Sequence, residues 1–292
     1  MGILRGESIF SAELSDCFSI SYQGRKDPHK WDALVMTILD GKTNRLNKLY
    51  GRAMRAKDVS LCPLGALGFY LLSRFQLTKE FDGANCPDFT KNEEWYDIKL
   101  LASMGGNEPG HTKEQRSETY YKCIREILRT KKITSNHYMH LGRVLGSANL
   151  QYKEIDDDLI RQLGNWSVTI RDLCYSTKLP IAAMRAAADF PDGFFCPRSQ
   201  VIPPEELANK IFSFVEEQLA RVNAAIDGHH NGCDRSGVYL GAAKCFLEML
   251  VRLRTIILQD AAAMIALHPE RQSHALFNSF PSIFRSAEFI VS

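Results

Sequence analysis

Residues 140–175 read HLGRVLGSANLQYKEIDDDLIRQLGNWSVTIRDLCY and contain four side chains at defined intervals. His140 and Arg143 form a His-x-x-Arg sequence, Trp166 follows the arginine by 23 residues, and Tyr175 follows the tryptophan by nine. Taken singly, each has an ordinary structural explanation, since large rings on amphipathic helices usually belong to a core. The joint spacing is what favours a functional motif.

Upstream of this stretch, the apolar pattern predicts a small antiparallel sheet. Residues 31–39 (WDALVMTIL) are short, apolar and β-leaning, Asp40-Gly41 is a turn signal, and a second strand is expected around 46–54. The stretch 83–112 is rich in Gly, Asn, Pro and Asp and is expected to be mostly loop. Helical spacing begins at 62–64 and returns at 113–130, 139–150, 156–164, 168–176 and 180–188. The fold class predicted is therefore α+β and mainly α-helical.

Four prolines between residues 191 and 204 predict an irregular connector, and we expect a domain boundary near residue 200. Residues 1–200 then form one domain, and residues 201–292 form a helical C-terminal extension. One helix of the extension is predicted from 203–204 to about residue 226. A second carries apolar residues at three-four spacing over 239–264. Such a stripe most often packs within its own chain, and the alternative is a partner-helix surface in an oligomer.

Composition limits the class of protein further. Of the 292 residues, 45% are hydrophobic and 24% are charged, which excludes disordered, collagen-like and fibrous chains. No apolar run approaches the ~18 residues that a membrane span needs. The eight cysteines are scattered, with no Cys-x-x-Cys pair, so neither a zinc module nor a redox motif is expected. Free thiols in a reducing compartment fit this pattern better.

Basic side chains are concentrated in two segments. Residues 41–57 carry six basic side chains and no acid, and residues 122–143 carry six basic side chains and one acid. A solvated basic face is the common explanation of one such run. Two runs in one half of a chain whose net charge is only +2 favour a polyanion-binding site.

The motif resembles the catalytic domain of the tyrosine recombinases, which share a fold with type IB topoisomerases. That family also uses a first arginine and a β-hairpin lysine, and the segments around Arg5 and Lys42 look similar to them. A closer resemblance is to the crypton branch of fungal mobile-element recombinases, which share a domain with the DNA-binding subunit of the budding-yeast centromere-binding kinetochore complex. The sequences that carry it are Arg5-Gly-Glu-Ser8, Glu13-Leu-Ser-Asp16, Gly41-Lys-Thr-Asn44, Cys62-Pro-Leu-Gly65, Trp95-Tyr-Asp-Ile-Lys-Leu100, His140-Leu-Gly-Arg143, Gly164-Asn-Trp166, Tyr175, Phe194-Phe-Cys-Pro-Arg198 and Pro203-Pro-Glu-Glu-Leu207.

This resemblance implies cleavage and rejoining of DNA through a 3′-phosphotyrosyl intermediate on Tyr175. Because the covalent bond keeps the energy for rejoining, neither a cofactor nor a metal is expected. In the family the arginines neutralise the phosphate, the lysine protonates the leaving oxygen, and the histidine and tryptophan hydrogen-bond to the phosphate. The six catalytic residues implied are Arg5, Lys42, His140, Arg143, Trp166 and Tyr175.

The partner implied is double-stranded DNA in the nucleus, with self-association as a dimer or tetramer on DNA, through the helices of 203–268. The family usually has an N-terminal clamp domain, and the sequence begins four residues before Arg5, so we expect weaker, strongly salt-dependent binding. Asn165 stands where related sequences often have a basic residue or histidine, which puts one phosphate contact in doubt. The residues expected to contact DNA outside the catalytic set are Arg45, Lys48, Arg52, Arg55, Lys131 and Lys132.

Two other classes of function are consistent with the sequence. One is a catalytically silent DNA-binding scaffold, as in the kinetochore relative. The other is a helical interaction module that uses the helices of 203–268. The complete set of catalytic residue types favours the enzyme, because a scaffold has no need of a tyrosine nucleophile.

Overall fold

The computed structural model describes residues 9–23, 30–38, 49–103, 117–134, 138–166, 179–190, 196–228 and 236–291. The chain forms two compact units, each built from separate segments. Unit 1 consists of residues 1–17, 34–53 and 96–187, and unit 2 consists of residues 18–33, 54–95 and 188–292. The residues after 200 thus share a unit with residues 54–95, which differs from the predicted boundary near residue 200.

Three strands form an antiparallel sheet in the order β1-β2-β3: β1 (Cys17–Tyr22), β2 (Trp31–Ile38) and β3 (Leu49–Met54). The central strand reads as a continuous apolar run because both its faces are covered: neighbours such as Leu34 and Val35 are both almost fully buried. The strands predicted at 31–39 and around 46–54 are confirmed. The turn predicted between them lies outside the described residues.

The rest of the described chain is mainly helical, as the sequence predicts. The predicted helices near 62–75, 113–130, 139–150, 156–164 and 180–188 are confirmed, and the one at 168–176 lies outside the described residues. The helices are α1 (Pro63–Leu72), α2 (Asn92–Trp95), α3 (Ser117–Thr130), α4 (Tyr138–Tyr152), α5 (Asp157–Gly164), α6 (Ile181–Ala187), α7 (Glu205–Lys210), α8 (Val215–Gly228), α9 (Ser236–Leu267), α10 (Ala275–Ser279), α11 (Pro281–Phe284) and α12 (Ala287–Val291).

Helix α9 organises the core of unit 2. Its predicted apolar stripe is buried against its own chain, since Phe246, Leu250 and Ile257 are fully buried. Helix α1 approaches α9 closely where α1 has glycine: a β-carbon at Gly68 would lie 2.8 Å from the side chain of Ile257. The within-chain interpretation of the stripe is therefore confirmed.

The single helix predicted from residue 204 to about 226 is wrong, because the structure has two helices, α7 and α8, there. Between them Ile211 is extended and Phe212 has a left-handed φ of 49°. The interrupted backbone is held by side chains distant in sequence. The Phe212 N–H donates to Gln76 Oε1 at 2.9 Å, and the Arg254 guanidinium donates to the carbonyls of Ile211 and Phe212.

This interruption has a structural purpose, because it directs two phenylalanines into an aromatic cluster. Phe212 and Phe214 both lie against Phe75, which itself stacks on Phe81 with ring centroids 4.1 Å apart. Aromatic contacts of this kind stabilise by about 0.5–1.5 kcal/mol per pair beyond the area they bury. The cluster consists of Phe75, Phe81, Phe89, Trp95, Phe212, Phe214 and Phe246.

A buried ion cluster joins three distant parts of unit 2. Asp260 on α9 is fully buried, and its Oδ1 accepts hydrogen bonds from Arg55 and from Arg198. Arg198 also donates to the carbonyls of Ala56 and Lys57, at 2.6 and 3.0 Å. A buried carboxylate needs such partners, since burying it alone would cost far more than the fold can supply.

The position of Arg55 corrects one of the predicted DNA contacts. Its side chain is only 5% exposed and also donates to Gln259, so it is an internal residue and not part of a DNA-binding surface. Nothing in the basic run 41–57 distinguishes Arg55 from its neighbours. Its carboxylate partner lies 205 residues further along the chain.

We expect Asp260→Asn to lower the free energy of unfolding by about 3–5 kcal/mol, because it removes the carboxylate that neutralises two arginine side chains. The measurement is urea denaturation followed by far-UV circular dichroism. Asp227→Asn, at an exposed position in α8, is the matched control and should change stability by less than about 0.5 kcal/mol. Equal stability of the two variants would contradict the role given to Asp260.

Candidate functional site

Three of the six predicted catalytic residues lie among the described residues, all in unit 1. His140 and Arg143 are on α4, and Trp166 follows α5. The other three, Arg5, Lys42 and Tyr175, lie outside the described residues, as do the predicted DNA contacts Arg45 and Lys48.

The end of α5 positions Trp166. Asn165 follows the helix in the left-handed conformation (φ 52°, ψ 40°), and the Trp166 N–H donates back to the Arg161 carbonyl at 2.9 Å. Asparagine adopts this conformation more easily than most residues, which makes it a natural helix terminator. The Asn165 side-chain amide then donates to the Tyr50 carbonyl on β3 at 2.9 Å. A local helix end is thereby fixed to the sheet.

Arg52 reinforces this attachment from the strand side. Its Nη1 donates to the Gln162 carbonyl at 3.4 Å, and its guanidinium lies 5.5 Å from the centre of the Tyr50 ring. Burial lowers the pKa of Arg52 below the ordinary arginine value, while the nearby Tyr50 acts in the opposite direction. An arginine remains charged at neutral pH under such a shift. Arg52 is half-buried, and its contact with DNA stays a prediction.

Arg143 and Trp166 are brought together as the motif requires. The Arg143 guanidinium lies 5.0 Å from the centre of the Trp166 ring, and both side chains are half-buried. A cation–π contact of this kind contributes about 0.5–2 kcal/mol and restricts the arginine to a narrow range of positions. The pair therefore forms a preorganised positive charge near the surface of unit 1.

His140 lies one turn before Arg143 on the same helix. Its side chain is exposed. Residues three apart are neighbours on a helix surface, so the imidazole and the guanidinium can contact one anionic group. The spacing His-x-x-Arg thus has a geometric meaning on α4.

A second basic group lies on α3 and the turn that follows it. Arg125 lies 5.6 Å from the centre of the Tyr138 ring, at the first residue of α4. Lys131 and Lys132 are exposed, and Lys132 has a left-handed φ of 56°. Two acids reduce the charge: Glu118 pairs with Lys122, and Glu126 with Arg129. The exposed basic side chains of this segment are Lys122, Arg125, Arg129, Lys131 and Lys132.

Sequence reasoning recognised Asn165 only as a departure from related sequences. The structure gives it a positioning contact, and a signal for it was present: Gly-Asn directly after helical apolar spacing is typical of a helix end. The contact with Tyr50 had no such signal, because it joins residues 115 positions apart.

Two classes of site are absent from the described part of the chain. No helix there is long and apolar enough to cross a membrane. No group of three or more His, Cys, Asp or Glu side chains is arranged there to hold a metal ion.

The fold and site together define a mainly helical α+β protein in which a small sheet, α4 and α5 hold a preorganised arginine near an exposed basic segment. Residues 1–290 match the family described as centromere DNA-binding protein complex CBF3 subunit, domain 2, and the chain belongs to this family. No match to the chain is found among curated proteins. The predicted relationship to the kinetochore subunit is confirmed, whereas the recombinase relationship stays a prediction.

We expect Asn165→Ala to lower the free energy of unfolding by about 1–2 kcal/mol, because it removes the hydrogen bond to Tyr50 and leaves alanine in a left-handed conformation. Asn165→Gly tolerates that conformation and should lose only the hydrogen bond, about 0.5–1.5 kcal/mol. Urea denaturation of both variants separates the two contributions. A glycine variant as stable as the original protein would show that the amide contributes nothing.

Proposed function

We propose that this chain binds double-stranded DNA, as a domain of a nuclear centromere-binding assembly, and does so through the basic surface of unit 1. The observation that carries the proposal is the exposure of all five basic side chains between residues 117 and 132. They stand in the same unit as the partly exposed Arg143. Membership of a family described as DNA-binding supports the same conclusion.

The physical basis of such binding is neutralisation of backbone phosphates. Each phosphate contact releases condensed counterions, so the logarithm of affinity falls with the logarithm of salt concentration by about 0.9 per contact. Exposed lysines contact phosphates without reading sequence, and arginine forks add geometric definition. A surface of this kind positions a protein on DNA and leaves any sequence preference to other contacts.

Charge reversal at Lys131 and Lys132 together should weaken duplex binding by about tenfold or more and reduce the salt slope by about 2. Fluorescence anisotropy with a labelled duplex across a potassium chloride series measures both quantities. The matched control reverses Lys30 and Lys79, two exposed lysines of unit 2, and changes the net charge by the same amount. If both double variants bind equally well, the DNA does not contact unit 1 at this position.

A second candidate function is DNA strand cleavage and rejoining, as in crypton-type tyrosine recombinases. The stacking of Arg143 on Trp166 favours it, because it unites two members of the catalytic motif. In this reaction the Tyr175 oxygen attacks phosphorus and the bond to the 5′ oxygen breaks. The phenol loses its proton, and the leaving oxygen gains one from Lys42. Arg5 and Arg143 stabilise the added negative charge, and His140 and Trp166 hydrogen-bond to the phosphate.

The scaffold is the first of the two proposals, because the family description refers to DNA binding and not to DNA cleavage. The two functions share one DNA-binding surface, so duplex affinity does not separate them. What separates them is a covalent product.

A nicked suicide duplex followed by denaturing electrophoresis tests the second candidate. If the chain is an enzyme, a protein–DNA adduct forms and is lost in Tyr175→Phe. Arg143→Ala should also abolish the adduct while duplex binding stays within about threefold, because one phosphate contact contributes far more to the transition state than to affinity. Tight binding without any adduct supports the scaffold, and normal cleavage by Arg143→Ala rules out the proposed catalytic site.

A further inference from the structure

Helix α4 has a second apolar face in addition to the face that packs in unit 1. The packed face includes Leu150, which is 1% exposed, and Arg143, seven residues earlier. The second face presents large apolar groups to solvent: Val144 and Leu145 are each 58% exposed, and Tyr152 is 88% exposed. Its members follow the helical spacing i, i+3, i+4, i+7 and i+11 and are Leu141, Val144, Leu145, Ala148 and Tyr152.

Single exposed apolar residues are ordinary, but a continuous stripe along one helix is typical of an interaction surface. We call these five residues the α4 stripe. By contrast, the stripe on α9, which the sequence offered as a self-association surface, is buried within its own chain.

The two ends of α4 carry opposite charges. At the N-terminal end Arg125 contacts the ring of Tyr138, and Lys131 and Lys132 precede the helix. At the C-terminal end the exposed residues Glu154 and 156–158 contribute four acids within six positions of Tyr152. The α4 stripe therefore has a basic end and an acidic end.

We propose that the α4 stripe is a self-association surface on which a second copy of this chain binds antiparallel, about a twofold axis. In such a pair the same patch is used twice, and Leu141 of each copy lies opposite Tyr152 of the other. The basic end of each copy then lies against the acidic end of the other, so both pairs of ends attract. A parallel arrangement would oppose like charges at both ends.

The size of the stripe sets the strength of the association. Fifteen residues span about 22 Å of helix. One helix face of this length buries less than the ~800 Å² per partner of a standard interface, so we expect a reversible dimer with a dissociation constant on the order of 10 µM. The association does not require DNA. It also leaves the Arg143 side of α4 uncovered, because Arg143 shares a side with Leu150 and not with the stripe.

Sedimentation velocity across a concentration series, without DNA, tests the proposal. We expect the original chain to dimerise reversibly and Val144→Asp with Leu145→Asp to weaken the dimer at least ~10-fold. Both positions are exposed, so the fold should persist, and far-UV circular dichroism checks it. Ile202→Asp, at a residue of unit 2 that is 90% exposed, is the matched control and should dimerise normally. A chain that stays monomeric well above this concentration, or a Val144/Leu145 variant that dimerises normally, overturns the proposal.

Charge exchange between copies tests the antiparallel geometry directly. One variant reverses the basic end (Arg125→Glu, Lys131→Glu), and another reverses the acidic end (Glu154→Lys, Asp157→Lys). Each variant alone should associate at least ~10-fold more weakly, because like charges then face each other. An equimolar mixture should recover association to within about threefold, since both contacts of the mixed pair are again attractive. A mixture as weak as its components overturns the arrangement.

Discussion

The burial of Asp260 is the constraint on which unit 2 depends. A carboxylate with no exposed surface requires cations, and Arg55 and Arg198 supply them. The same carboxylate requires space on its other side, because a β-carbon at position 65 would lie 2.3 Å from Oδ2. Two of the short sequences behind the recombinase resemblance, Cys62-Pro-Leu-Gly65 and Phe194-Phe-Cys-Pro-Arg198, thus meet at one buried charge. Part of that resemblance therefore reflects packing and not chemistry.

Local periodicity was sufficient to predict most elements. Strand β2 and helices α4 and α9 follow from apolar spacing alone, because each has one continuous relation to a core. The interruption at Phe212 could not be predicted in this way, since it depends on Gln76 and Arg254, which come from elsewhere in the chain. For the same reason Arg55 could not be separated from the solvated basic residues around it. In the site, spacing brought Arg143 and Trp166 to attention correctly, whereas the support from Tyr50 needed coordinates.

The arrangement around Arg143 suits either proposed function. An arginine held flat against an indole has lost much of its rotational freedom before any phosphate arrives, so less entropy is lost when it binds one. That advantage applies to a scaffold that must stay on DNA and to an enzyme that must stabilise a transition state. The attachment of α5 to β3 through Asn165 extends the rigidity from the side chain to the backbone. The difference between the two functions therefore rests on the nucleophile and not on the phosphate-binding arginine.

The segmental construction of both units determines when the protein can fold during its synthesis. Arg55 and Asp260 are separated by 205 residues, and the aromatic cluster likewise waits for Phe246. At ribosomal rates of about 5–20 residues per second, the first half of unit 2 remains without its partners for about 10–40 s. During that time apolar residues such as Phe75 and Leu71 are exposed to the cytosol. A nascent chain of this design is a natural client for chaperones that bind near the ribosomal exit tunnel.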